Sequence, residues 1–313
     1  MDVKTMKRMM CFISGQLLPN FIPINEVKTR PEIIHAVYTP SNPQMKKNFE
    51  SFKKVVNNDF PEIKFSELHI KSEYDAVSLK NQCEKLLKDF AKDEWSLNST
   101  GGTKLMSSPV MEFFLNNYLP VYYVETPKRR TLLIKPNWET ENIPFESEIN
   151  ISTYFNLHGI DVITGTSQNE HEQKVFKELT KLNWKVWQSV KWKSKVNNQI
   201  LNEFDFICIE NYQMSAFECK NLNITKDSVE KGFVHPQALK NAQITMSDDL
   251  YKLAQVRNSF GGPFGKSYWI FDGRTEINQN LQDKLAEFNI TLIRDILEIS
   301  KNPSKYKLPN KNK

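Results

Sequence analysis

The sequence predicts an α/β protein built from two domains. The first half alternates short apolar runs with amphipathic helical segments, and the second half places a helix before a β-hairpin that carries acidic side chains. A chain of 313 residues with 39% hydrophobic and 25% charged residues has the length and composition expected of two ordinary globular domains.

The pattern of the first half predicts a repeating unit of one strand followed by one helix. Strands are predicted at 8–13 and 32–38, because both are short apolar runs bounded by turn residues. A helix follows at 43–56, since Pro43 suits a first turn and the apolar residues behind it recur at helical spacing. Another helix at 73–90, a strand at 94–97, and two further strands ending near residue 136 complete the pattern. This alternation predicts a parallel sheet with helices on both faces.

A glycine turn, NSTGGTK, follows the strand at 94–97. Ligands of parallel sheets bind beyond the carboxyl ends of the strands, and glycines there let the backbone approach a ligand. Thr100, Gly101, Gly102, Thr103 and Lys104 would offer N–H groups and a positive charge, which suit a phosphate. A plain glycine turn with a solvated lysine remains open. Pro109 predicts a kink or a late start in the helix that follows.

Polar residues also follow the carboxyl ends of the other predicted strands. Ser14, Gln16 and Asn20 follow the first strand, and Thr39 follows the second. Neither NSTGGTK nor the later GGPFGKS at 261–267 satisfies the Walker A spacing, so ATP hydrolysis is disfavoured.

Beyond residue 136 the pattern weakens, and 139–165 is interpreted as a linker with a short helix at 151–157. The helix predicted at 169–182 places Glu172 on the same face as its apolar residues. An inward carboxylate needs a partner, although a first-turn glutamate also interacts favourably with the helix dipole.

A β-hairpin is predicted at 202–222, turning near residues 210–212. Alternation puts Glu203 and Asp205 on one face of its first strand, and Glu218 and Lys220 on one face of its second. Gathered carboxylates suit Mg²⁺ or Mn²⁺, and the lysine could activate water or stabilise a phosphate. A surface hairpin with a Glu–Lys ion pair is the alternative. With Glu172, this set favours metal-dependent phosphodiester hydrolysis.

Other features constrain the partners and the location. Trp184, Trp187 and Trp192 alternate with lysines and could stack on bases, or they could belong to the core. The net charge of +5 and a basic tail at 301–313 permit an anionic partner without requiring one. The four cysteines lack metal-ligand spacing and predict reduced core thiols. No signal peptide or membrane span is visible, so a cytoplasmic protein is expected.

These motifs together resemble a known family. SGQLLPN and NSTGGTKLM make the first half similar to a CARF domain, the Rossmann-like sensor of cyclic oligoadenylates in CRISPR systems. Glu172, Asp205 and the ECK at 218–220 resemble the PD-(D/E)xK, or restriction-endonuclease-like, nucleases. LYKLAQVRNSFGGPFGKSYWIF is similar to the segment after the active site in single-chain CARF nucleases of type III systems.

The resemblance implies a homodimer that is activated by a cyclic oligoadenylate, with tetra-adenylate the usual ligand. It implies a sensor at 1–138 and a nuclease at 166–313 that cleaves single-stranded RNA, DNA or both. The activator would contact residues of the strand-end loops: Ser14, Gln16, Asn20, Thr39, Thr100, Gly101, Gly102, Thr103 and Lys104. Glu172, Asp205 and Glu218 would hold Mn²⁺ or Mg²⁺, with Lys220 assisting water. A non-catalytic regulator that senses the ligand and binds nucleic acid is the competing interpretation.

Overall fold

The computed structural model describes residues 7–72, 74–89, 95–193, 200–223, 226–232, 235–256 and 265–306. Within the chain, two compact units divide after residue 160. Among the described residues no helix is both long enough and apolar enough to cross a membrane. Much of the basic tail and residues 261–264 of GGPFGKS lie outside the described residues.

In its described residues, the first unit contains a sheet and five α-helices. Its strands are β1 (Arg8–Phe12), β2 (Ile33–Tyr38), β3 (Lys64–His69), β4 (Trp95–Asn98), β5 (Val121–Glu125), β6 (Arg130–Ile134) and β7 (Thr140–Pro144). Its α-helices are α1 (Leu18–Asn25), α2 (Pro43–Asp59), α3 (Ala76–Lys88), α4 (Lys104–Asn116) and α5 (Ile151–Leu157). The strand order is β3-β2-β1-β4-β5-β6-β7. The first five strands of that order are parallel, and β6 and β7 extend the sheet antiparallel.

Side chains that alternate along β2 show that helices cover both faces of this sheet. Val37 lies in the apolar cluster formed with α3 and α4. Tyr38, the next residue, stacks on Phe49 of α2 with ring centroids 4.7 Å apart. The mixed α/β fold with a largely parallel sheet that the sequence predicts is therefore confirmed.

The second unit is built on a six-stranded sheet. Its strands are β8 (Asp161–Gly165), β9 (Val186–Lys193), β10 (Ile200–Glu210), β11 (Gln213–Lys220), β12 (Lys266–Phe271) and β13 (Ile290–Ile293). Its α-helices are α6 (Glu170–Thr180), α7 (Lys226–Glu230), α8 (Pro236–Val256), α9 (Gln279–Glu287) and α10 (Glu298–Lys301). The order is β13-β12-β11-β10-β9-β8, in which β10 and β11 form the predicted hairpin and β11 pairs parallel with β12.

The segment interpreted as a linker at 139–165 is shared between the two units. β7 pairs with β6, and Thr153 of α5 donates a hydrogen bond to Asp59 of α2 at 2.7 Å, so both belong to the first unit. β8 pairs with β9 in the second unit. Short polar strands at sheet edges carry little apolar signal, and for this reason β3 and β7 were not predicted either.

The glycine turn before α4 is packed beneath the end of β1. A Cβ atom on Gly101 would lie 2.2 Å from the Phe12 carbonyl oxygen, and Gly102 adopts φ +76 next to the Phe12 side chain. Helix α4 begins at once, at Lys104, because the Thr103 hydroxyl accepts a hydrogen bond from the Met106 N–H. A late start caused by Pro109 is therefore wrong, since the proline lies inside the helix.

Gly101→Ala is expected to lower the free energy of unfolding by about 1–3 kcal/mol, because the added methyl group meets backbone that must shift. Chemical unfolding followed by circular dichroism measures the change. Gly15→Ala is the matched control, since nothing lies within 4 Å of a Cβ at that glycine. Equal stability of the two variants would contradict the close packing of the turn on β1.

Candidate functional sites in the two units

The strand order of the first unit creates a crevice between β1 and β4. From β1 the sheet continues to β2 and β3 on one side and to β4 and β5 on the other. The loops that leave β1 and β4 therefore diverge from each other at their carboxyl ends. In open α/β sheets such a switch point is where ligands bind. Both predicted ligand loops, 14–16 and 100–104, lie at this edge.

Buried amides join these two loops. Asn20 is fully buried and donates to the Phe12 carbonyl oxygen at 2.8 Å. Asn98, also fully buried, donates to the Pro19 carbonyl oxygen at 3.0 Å and accepts from the Thr100 N–H at 3.1 Å. Asn20 was expected to contact the ligand, whereas the structure places its side chain beneath the surface. Its amide holds the two loops in register.

The remaining predicted residues divide into supporting and exposed groups. The Thr100 hydroxyl accepts from the Val124 N–H at 2.8 Å, and Thr39 is almost completely buried. Gln16 and Lys104 are exposed, and Ser14 is partly exposed. Lys104 stands in the first turn of α4, where the helix dipole adds to its positive charge. The exposed part of this edge therefore attracts anions.

In the second unit, Asp205 and Glu218 lie side by side on neighbouring strands. Phe206 pairs with Phe217 across the hairpin, and both rings belong to the apolar cluster that includes α6. Asp205 precedes Phe206 and Glu218 follows Phe217, so both acids point to the opposite face. The Asp205 carboxylate accepts a 2.6 Å hydrogen bond from the Cys219 N–H.

Burial disfavours the ionised form of both acids. It raises the pKa of Glu218 to about 8, and the neighbouring charge of Asp205 acts in the same direction while Lys252 opposes it. Burial also raises the pKa of Asp205 to about 6, against the Cys219 hydrogen bond and with a further contribution from the charge of Glu172. Such a pair is stabilised by any cation that reaches both oxygens.

Helix α8 supplies two charges that the sequence interpretation missed. The Lys252 ammonium contacts both Glu218 oxygens at 2.8 Å, and the Lys220 ammonium lies 3.1 Å from Asp249. Burial raises the pKa of Asp249, an effect that Lys220 opposes. Asp249 and Lys252 are three residues apart, which places both on one face of α8, and this spacing is the sequence signal that could have identified them.

The other predicted acids are placed less centrally. Glu172 lies in the first turn of α6, capped by Asn169, and reaches the site through its charge on Asp205. Glu203 forms an ion pair with Lys191 at 3.2 Å, away from the acid pair. Within the described residues, no three His, Cys, Asp or Glu side chains are grouped closely enough to hold a metal ion.

The tryptophans and cysteines serve mainly the core. Trp184 and Trp192 are buried, and Trp192 stacks on Phe204. Trp187 is partly exposed, with the Lys185 ammonium 5.5 Å from its ring centroid. All four cysteines are buried free thiols, as predicted. Only Trp187 of the three tryptophans is therefore available to stack on a base.

The raised pKa of Glu218 predicts a dependence of stability on pH. The folded carboxyl group keeps its proton up to about pH 8 and pairs with Lys252 as a carboxylate above that pH, whereas an unfolded glutamate loses the proton near 4.5. The folded state binds more protons between these values, so the Glu218 contribution to the free energy of unfolding falls as pH rises. Glu218→Gln is expected to reduce that fall by more than about 1 kcal/mol.

The measurement is urea unfolding in EDTA at pH 5 and pH 8.5. Glu203→Gln, in the same strand pair but only partly buried and paired with Lys191, is the control and should keep the parent's pH dependence. If Glu218→Gln and the parent lose the same free energy over this range, the burial of Glu218 does not control its ionisation.

Comparison with known proteins assigns each half of the chain. Residues 9–154 match the Card1 CARF domain, and residues 167–260 match the nuclease-related domain, NERD. A comparison with curated protein sequences finds no match.

Solved structures share the fold of the whole chain. Can2 from Sulfobacillus thermosulfidooxidans, solved with cyclic tetra-adenylate, is 18% identical with a TM-score of 0.71, over 96% of this chain and 97% of Can2. VC1899 from Vibrio cholerae is 12% identical with a TM-score of 0.73, over 98% of this chain and all of VC1899 (100%). A type III CRISPR defence DNA nuclease activated by cyclic oligoadenylate is 11% identical with a TM-score of 0.59, over 98% of this chain and 53% of that nuclease.

The motifs quoted above and the two domain matches agree in order and in position along the chain. The chain therefore carries a Card1-type CARF domain followed by a nuclease-related domain, and this combination supports the resemblance to the CARF and PD-(D/E)xK nucleases of type III CRISPR systems.

Proposed function

We propose that the chain is a metal-dependent nuclease that cleaves single-stranded RNA, DNA or both when a cyclic oligoadenylate binds its CARF domain. The observation that carries this proposal is the partly buried Asp205 opposite the buried Glu218, with Lys220 two residues beyond Glu218 in the nuclease-related domain. Can2 bound to cyclic tetra-adenylate supports that ring as the first activator to test. Defence against viruses in the cytoplasm is the setting that this activity would serve.

The acid pair fits a divalent metal ion. Burial raises the pKa of both carboxyl groups, and the charge of Asp205 raises that of Glu218 further, so ionising both is costly and a shared cation removes much of that cost. Oxygen ligands suit Mg²⁺ or Mn²⁺, and nuclease domains of this type typically use divalent metals. Asp205 and Glu218 would hold the ion, with Glu172 completing the set. Bound there, the ion would polarise the phosphate and lower the pKa of a water molecule.

The other residues of the site position charge and protons. Asp249 holds the Lys220 ammonium at 3.1 Å, so this long side chain is fixed next to the acid pair. An ammonium in that place can donate a hydrogen bond to a phosphate oxygen as negative charge develops on it. Cys219, between the two functional residues, fixes Asp205 through its backbone N–H.

In the CARF domain, exposed and partly exposed groups would contact the activator, and groups that are buried or bonded to the backbone would hold the loops. Ser14, Gln16, Gly102, Thr103 and Lys104 belong to the first set, and Asn20, Thr39, Thr100 and Gly101 to the second. A ring of repeated phosphates matches a pocket shared by two copies of the domain, so we propose a homodimer. Ligand binding there and cleavage in the nuclease domain are then two coupled sites.

Two observations favour a second function. Lys252 already neutralises Glu218, and the described residues assemble no three-acid metal cluster. A domain in this state could bind nucleic acid without cleaving it, as a regulator that responds to the activator.

Asp205→Asn and Glu218→Gln distinguish the two functions. Each is expected to reduce cleavage at least 100-fold in the presence of Mn²⁺ and cyclic tetra-adenylate, because each removes a charged oxygen ligand of the metal. Labelled single-stranded RNA and DNA report cleavage, and circular dichroism confirms folding. Glu203→Gln, on the same strand as Asp205, should cleave at the parent's rate. A parent chain that binds the labelled strands but does not cleave them would favour the regulator. Cleavage that survives in both site variants would remove Asp205 and Glu218 from the proposed catalytic site.

Lys104→Ala is expected to raise the activator concentration for half-maximal cleavage about tenfold, which corresponds to about 1.4 kcal/mol for a lost charged hydrogen bond. Cleavage at saturating activator should be unchanged. Lys88→Ala is the control. Lys88 is also an exposed lysine, but it lies at the end of α3, at the edge of the sheet opposite to the proposed ligand loops. An unshifted activation curve for Lys104→Ala would remove that lysine from the proposed ligand set.

A further inference from the structure

Lys252 contacts the acid pair through both carboxylate oxygens of Glu218. Its ammonium lies 2.8 Å from both oxygens of Glu218, whose side chain is only 9% exposed, and 4.8 Å from the ring centroid of Phe204. None of the sequence motifs includes this lysine in the site. It comes from α8, in the crossover between β11 and β12.

The two-oxygen contact sets up a competition. A carboxylate binds a metal ion through the same oxygens that here accept hydrogen bonds from an ammonium. A positive charge this close also repels a second cation in a poorly hydrated site. Lys220 is less involved, because its ammonium is paired with Asp249.

We propose that Lys252 is an internal counter-ion of Glu218 that competes with the divalent metal, so that metal binding is coupled to release of Lys252 from this carboxylate. The inference rests on the proposed metal-dependent function and deepens it. It assigns to Lys252 the control of metal affinity. The Phe204 ring face gives the released ammonium a favourable contact within the site.

A purely structural role for the ion pair predicts the opposite change in metal affinity. If Lys252 only held Glu218 in place, removing it would leave the carboxylate less well positioned and metal binding would weaken or stay the same. If Lys252 competes, removing its charge strengthens metal binding. The sign of the change in metal affinity therefore separates the two roles.

The test is calorimetric titration of the full chain with Mn²⁺, without activator or nucleic acid. Lys252→Met and Lys252→Gln are expected to bind Mn²⁺ at least tenfold more tightly than the parent, and the conservative Lys252→Arg within about threefold of it. The glutamine variant keeps a hydrogen-bond donor for Glu218 but removes the charge. The affinity can therefore still be compared if the methionine variant folds poorly.

Lys191→Met is the matched control. It removes the same charge from the same domain and breaks a lysine–glutamate pair with Glu203 at 3.2 Å, so its Mn²⁺ affinity should stay within about twofold of the parent. Tighter binding in this control equal to that of Lys252→Met would overturn the proposal, because net charge alone would then explain the effect.

Two further outcomes are distinguishable. Unchanged or weaker Mn²⁺ binding by a folded Lys252→Gln, with the parent binding Mn²⁺ and Glu218→Gln not binding it, overturns the competition and leaves the metal-dependent function standing. Absence of Mn²⁺ binding in the parent and in both uncharged Lys252 variants overturns the competition together with the metal site itself.

Discussion

The second unit depends on one costly arrangement, the placement of a buried carboxylate, Glu218, beside a partly buried one, Asp205. Glu218 is almost fully buried and Asp205 accepts a hydrogen bond from the strand that carries Glu218. Hairpin register produces this proximity, because the Phe206 and Phe217 pair commits the neighbouring residues to the other face. The surrounding charges then follow as compensation, since a buried carboxylate requires either a proton or a cation. Lys252 supplies the cation for Glu218 within the chain.

The first unit shows the same relation between close packing and exposed chemistry. Gly101 lies against the Phe12 carbonyl so closely that no side chain fits, and Asn20 and Asn98 satisfy the backbone groups around that contact. This rigid layer lets α4 begin directly at Lys104, at the surface. A loop held from below by buried amides presents its outer groups with little conformational freedom, which favours binding of a ligand.

Much of this was accessible from sequence because periodicity fixes faces. The alternation in the hairpin correctly placed Asp205 and Glu218 together, and the βα alternation gave the parallel sheet. Strand β3 is not predicted, because its position at the edge of the sheet leaves its residues polar. Asn20 is predicted to contact the ligand, because a sequence does not distinguish a polar residue on a loop surface from one that bonds to buried backbone. Lys252 was missed because its partner depends on how a helix packs on a sheet, which local patterns do not encode.

Topology nevertheless fixes which charges of α8 meet those of β11. Because β11 and β12 are parallel, the helix between them must run back against both strands. Glu218 to Lys220 spans about 7 Å along a strand, and Asp249 to Lys252 rises about 4.5 Å along a helix, so one helix face can reach both. With the directions opposed, Asp249 meets Lys220 and Lys252 meets Glu218. The same two residues in reversed order would place acid on acid and lysine on lysine. The order acid then lysine on the crossover helix therefore complements the Glu-x-Lys order on the strand, so that α8 and β11 together form the charge pattern of the proposed site.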